Sequence, residues 1–121
     1  MTTIVPLGVA AFFLAMGAYA LAAPAALARP FRLTVDAPES RSEIRAVYGG
    51  FGLAIAAVLV LAVADGGEFR RGVVVTVGIA LAGMAVGRVL SRLVDKGTSF
   101  YPIWFYFVVE AFAAGLLFAA G

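Results

Sequence analysis

The chain has 121 residues, 64% hydrophobic and 13% charged, with a mean hydropathy of +1.05. A soluble domain is about half apolar, so this composition belongs in a bilayer. With neither cysteine nor histidine present, thiolate chemistry, disulfides, haem axial histidines, iron–sulfur clusters and ordinary zinc sites are excluded, and no metal site or cofactor is expected.

Four apolar stretches, each long enough to cross a hydrocarbon core of about 30 Å at about 1.5 Å per residue, follow one another along the chain. The first is predicted from about Ile4 to Leu27, opened by Pro6 in the first helical turn and closed by Arg29-Pro30. Residues 1 to 28 could instead be read as a cleaved signal peptide, with Ala26-Leu27-Ala28 as the processing site. Nothing before Arg29 is basic, however, and a signal peptide needs a basic leader segment. Phe31 to Val35 then read as a plain loop or as a segment lying on the membrane surface.

The second span is predicted from about Ala46 to Ala64, in a helix that begins earlier, at the capping-box pattern Ser40-Arg41-Ser42-Glu43. Asp65-Gly66-Gly67-Glu68 makes a tight connection to the third span, about Gly72 to Val94, whose left-handed cap is assigned to Gly97. The fourth runs from about Tyr101-Pro102 to residue 120. An all-α, antiparallel four-helix bundle, a single transmembrane domain over residues 1–121, is the simplest way to satisfy this backbone in lipid.

A net charge of +2, with eight arginines among nine basic residues, would suit nucleic acid in a soluble chain. In a chain this apolar it reports topology, and no nucleic-acid partner is expected. The termini and the second connection carry only Arg70 and Arg71, whereas the first and third connections, with the adjoining helix ends, carry Arg29, Arg32, Arg41, Arg45, Arg88, Arg92 and Lys96. This split puts both termini outside and the basic connections in the cytoplasm of a bacterial inner membrane.

Depth counted from that basic side brings polar groups of different helices together. Arg88 lies roughly 9 Å inside Val94, Glu110 roughly 13 Å inside Tyr101, and Tyr19 roughly 12 Å inside Leu27, with Tyr48 about a turn inside the same boundary. The faces agree. Arg88, Ser91, Arg92 and Asp95 share a stripe at i, i+3, i+4 and i+7, Arg45, Tyr48, Gly49 and Gly52 repeat the spacing, and Tyr106 and Glu110 stand at i and i+4.

A charge at the centre of a spanning helix costs about 2.5 to 3.5 kcal/mol on insertion scales, so it faces the bundle interior or water and takes a partner. Arg88 and Glu110 are the expected pair, with Asp95 and Arg45 as secondary partners. Arg88, Glu110, Tyr48, Arg45, Tyr19, Ser91 and Asp95 are therefore the candidate ligand-binding residues. The same pair would also serve purely to fix helix register, and Arg88 alone could snorkel to the interface. Trp104, Tyr101 and Tyr106 read as an interfacial aromatic belt.

Small-residue ridges occur at Gly83-x-x-x-Gly87-x-x-x-Ser91, Ala46-x-x-x-Gly50-x-x-x-Ala54 and Ala111-x-x-x-Gly115-x-x-x-Ala119. They suit packing within one bundle, the simpler role, or association between copies.

The blocks "RAVYGGFGLA" at 45–54 and "GRVLSRLVDKG" at 87–97, with an acidic residue, Glu110, in the last span, resemble a bacterial family of four-helix membrane proteins described as domain of unknown function 4345. The resemblance covers essentially the whole chain and departs from the pattern by Lys96, inserted between Asp95 and Gly97. It implies the four-helix membrane fold and no assigned activity.

Three functions fit these residues. The first is a binding or assembly role, with membrane lipid, a homo-oligomer or a larger membrane complex as partner. The second is a site for a lipid-like or amphipathic molecule at Arg88 and Glu110. There, Arg45, Arg88 and Arg92 would suit an anionic headgroup, and tyrosine with carboxylate alone a cation. The third is proton relay or acid–base chemistry at Glu110 with Tyr48 or Tyr19, for which no substrate is indicated.

Overall fold

A computed structural model describes residues 1–121. The helices are α1 (Ile4–Ala22), α2 (Pro24–Ala28), α3 (Pro38–Ile44), α4 (Phe51–Asp65), α5 (Gly67–Val94) and α6 (Phe105–Ala120). A widened π turn, Arg45–Gly50, joins α3 to α4 in one rod over Pro38–Asp65, and a second, Phe100–Trp104, leads into α6. The four long apolar helices Ile4–Ala22, Pro38–Asp65, Gly67–Val94 and Phe100–Ala120 are each able to cross a membrane.

All four contribute to one core, in which Val9 and Ala10 of α1, Leu59 of α4, Val74, Val77 and Leu81 of α5, and Leu117 of α6 interlock. A smaller cluster, Ala20, Leu27, Ala28 and Ile44, closes the end that carries the basic connections, called here the basic end. Only 24 of 121 residues are buried, and Leu61 and Phe112 are 61% and 67% exposed. Apolar surface on that scale is stable against lipid, which makes this a multi-pass membrane protein.

Pairing directions follow from the contacts. Gly17 of α1 meets Gly49 and Leu53, while Gly52 meets Phe13, so numbers rise on one helix as they fall on the other. The α5–α6 pair behaves alike, with Arg88 opposite Glu110 and Gly78 opposite Phe118. At the opposite end, Arg70 Nη1 donates to the Ala120 carbonyl at 3.2 Å, satisfying one of the acceptors that the end of α6 leaves without an intrahelical donor.

Several local expectations are corrected. The first span breaks at Ala23 (φ −141°, ψ 66°) instead of running to Leu27, because a residue before proline is pushed out of the helical region. The α3 helix starts with Pro38 at its first position and has no side-chain cap, so the Ser40–Glu43 capping box does not form. The cap assigned to Gly97 is also absent: α5 ends on an extended Asp95 (φ −124°, ψ 172°), and Gly97 is not among the left-handed glycines. All three small-residue ridges face outward, with residues 83, 87 and 91, 46, 50 and 54, and 111, 115 and 119 exposed. The glycines that bring helices together are Gly17, Gly49, Gly52 and Gly78.

The tight connection at Gly66-Gly67 does form, with φ of 75° and 61°. Gly66 adds ψ −166°, a region open essentially to glycine alone. Since a Cβ there would meet nothing within 4 Å, Gly66→Ala should act through the backbone alone and lower stability by about 1–3 kcal/mol. Chemical unfolding in detergent measures this; an unchanged midpoint would contradict the turn.

Candidate functional site

Glu110 is the one buried charged residue, 4% exposed. Its two oxygens accept from one arginine: Arg88 Nε donates to Oε1 at 2.8 Å and Nη2 to Oε2 at 2.9 Å. This two-pronged geometry matches the planar guanidinium to the planar carboxylate and is the strongest form such a pair takes. It is also the protein's sole salt bridge.

Two aromatic rings close over the pair. The Arg88 guanidinium carbon lies 5.8 Å from the Tyr106 ring centre and 5.9 Å from that of Phe31. The two rings lie 5.5 Å apart, and Tyr101 extends the group at 6.3 Å from Tyr106. Cation–π contact adds about 0.5–1 kcal/mol at exposed sites and more where water is excluded. Phe31 reaches this place because the turn Arg29–Phe31, ended by a left-handed Arg32 (φ 59°), folds the connection back onto the bundle. Phe31–Val35 is therefore neither a plain loop throughout nor simply a surface segment. Tyr106 turns inward, beyond the belt role expected of it, while Trp104 packs edge-on against Phe107 at 5.3 Å.

The other candidate residues make no hydrogen bond to the pair. Arg45 Nε donates to the Leu21 carbonyl at 3.1 Å and does not reach Glu110. The break at Ala23 leaves carbonyls in the last turn of α1 without helical donors, and Arg45 takes one of them. Asp95 is exposed on the extended segment after α5 and forms no ion pair. Neither is a secondary partner: Arg88 already occupies both oxygens of Glu110, which leaves none for Arg45, and Asp95 forms no ion pair with Arg88.

Tyr19 and Tyr48 are 46% and 45% exposed. The hydrogen bonds of the pair run between Arg88 and Glu110 alone, without either tyrosine. The turn Arg45–Gly50, closed by the Phe51 N–H bonding back to Ala46, takes more residues than an α turn. It lengthens the local repeat, so Arg45, Gly49 and Gly52 keep to the α1 side while the Tyr48 side chain stays exposed. Phe31 was the residue the spacing could not reveal. Tyr106 was signalled, one turn before Glu110.

Beside the pair, a groove of about 400 Å³ runs between the last turns of α5 and the Phe100–Trp104 turn. Ser91, Arg92 and Lys96 line it together with the outer side of Arg88. Ser91 belongs to this groove and not to the Glu110 cluster.

The chain belongs to the family described as Domain of unknown function (DUF4345), whose sequence model matches residues 1–120. No curated protein and no solved structure matches it.

Proposed function

With membership of that family as the premise, we propose that the chain is a binding or assembly protein of a bacterial cytoplasmic membrane. In this reading the Arg88–Glu110 pair is a clamp that fixes α5 against α6 in the cytoplasmic half of the bundle. The observation that carries it is the engagement of both Glu110 oxygens by one guanidinium, under two aromatic rings. A carboxylate so held is suited to fixing register. A general acid or base needs an oxygen within reach of a substrate proton. The outward Gly115 of α6, where a Cβ would have no neighbour within 4 Å, supports close approach by another helix.

Orientation and assembly can be tested in the same cells, because a cysteine-free chain accepts single reporter cysteines. Glu68→Cys should react with a membrane-impermeant maleimide in intact cells, and Thr34→Cys only after permeabilisation. The reverse pattern would overturn the orientation. Gly115→Cys should give disulfide-linked species on oxidation in native membranes. Monomer alone would count against assembly.

A second reading, a site for a lipid-like molecule, is favoured by the groove beside the clamp, where Arg88, Arg92 and Lys96 stand with the apolar Met84, Ile103 and Trp104.

A further inference from the structure

We infer that this groove holds the headgroup of an anionic phospholipid, with an acyl chain lying along α5 towards the bilayer centre. The inference rests on the lipid-site reading and gives it a ligand class.

Charge comes first. Arg92 and Lys96 line the groove, both are exposed, and neither is in an ion pair. Arg88 commits Nε and Nη2 to Glu110, and its remaining nitrogen, Nη1, donates to no protein atom. No carboxylate lines the groove: Glu110 is spent on Arg88, and Asp95, adjacent in sequence, is not part of the lining. Ser91 adds a hydroxyl group beside these cations, whereas the Thr98 hydroxyl donates to the Ser99 carbonyl. Unpaired guanidinium and ammonium groups with a hydroxyl form a phosphate-binding set.

Position selects a lipid over a free anion. Lys96 and Thr98 lie beyond the end of α5, at the level of the interface, whereas Met84 lies roughly 15 Å deeper along the helix. Ile103 and Trp104 make the opposite wall apolar. At Gly83 and Gly87 even a Cβ would meet nothing within 4 Å, so an acyl chain has a smooth track on α5. A soluble phosphate would use the shallow end alone. An amphipath with a negative head uses both, and basic residues at this depth attract anionic lipid by about 1 kcal/mol each.

The test is native mass spectrometry of the purified protein, released from bilayers holding equal phosphatidylglycerol and phosphatidylcholine. Wild type should retain phosphatidylglycerol in preference. Arg92→Gln with Lys96→Gln should lower that retention on the order of 10-fold or more, since two headgroup cations are lost. Both positions are exposed and outside the clamp, so thermal unfolding should hardly move. Gly87→Leu, which fills the acyl track without changing charge, should also lower retention.

Equal retention of both lipids would overturn the anionic assignment while leaving a lipid site. Retention of neither would overturn the lipid site as well. Displacement of phosphatidylglycerol by millimolar glycerol phosphate would show that the anion alone is bound, and an unchanged double variant would show that the groove is not the site. Each of these four results contradicts the inference.

Discussion

Arg88→Gln is expected to destabilise the folded bundle by about 3–5 kcal/mol, whereas Arg88→Gln combined with Glu110→Gln should cost clearly less. The single change leaves a carboxylate, its side chain 5% exposed, facing an apolar interior without its only partner. Removing one member of a buried pair is far more costly than neutralising both. Glu110→Gln should fall between these limits, because the freed Arg88, 20% exposed, can extend towards the basic end. Unfolding of the three variants in mixed micelles gives the coupling directly. Additive effects would mean that the pair does not act as a clamp. Loss of a cellular phenotype in Glu110→Gln with full stability would point to chemistry at the carboxylate.

The second large effect concerns the seam between α1 and α4. A Cβ on Gly17 would come within 2.9 Å of the Gly49 carbonyl oxygen and 3.1 Å of the Leu53 nitrogen, both backbone atoms. Backbone in two packed helices cannot step aside as a side chain can, so Gly17→Ala should cost about 1–3 kcal/mol. Gly115 is the internal control. With nothing within 4 Å, Gly115→Ala should raise stability by about 0.5–1 kcal/mol, the ordinary gain of alanine over glycine in a helix. Equal effects at the two positions would contradict the packing of α1 against α4.

The four apolar helices were legible because lipid demands long uninterrupted apolar runs, and their ends fell near charged or glycine-rich connections. Arg88 opposite Glu110 was legible for a related reason. Along α5 and α6 the rise per residue is regular enough for depths counted from the same side to agree. The clamp's surroundings were not legible in the same way. Tyr48 shares its level but gives the pair no hydrogen bond, and the widened turn Arg45–Gly50 changes the angular phase of the rod. No sequence period announces such a turn.

Arg45 was misassigned because its acceptor, the Leu21 carbonyl, becomes available only once α1 breaks before Pro24. That proline was visible in the sequence, and its effect on Ala23 could have been read from it. Phe31 carried no such signal, since a connection that folds back onto a bundle has no periodicity to follow. The in-bundle reading of the small-residue ridges failed for a compositional reason. In a chain this rich in alanine and glycine, spacing alone does not separate glycines that face a helix of the same bundle, such as Gly17 and Gly52, from those that face outward, such as Gly83 and Gly115.

The most direct test of the clamp is a high-resolution structure in nanodiscs containing phosphatidylglycerol, read at Glu110. A clamp predicts both carboxylate oxygens on Arg88 beneath Phe31 and Tyr106, with no water or ligand touching them. Water, lipid or another ligand bound to a Glu110 oxygen, with Arg88 swung away, would contradict it.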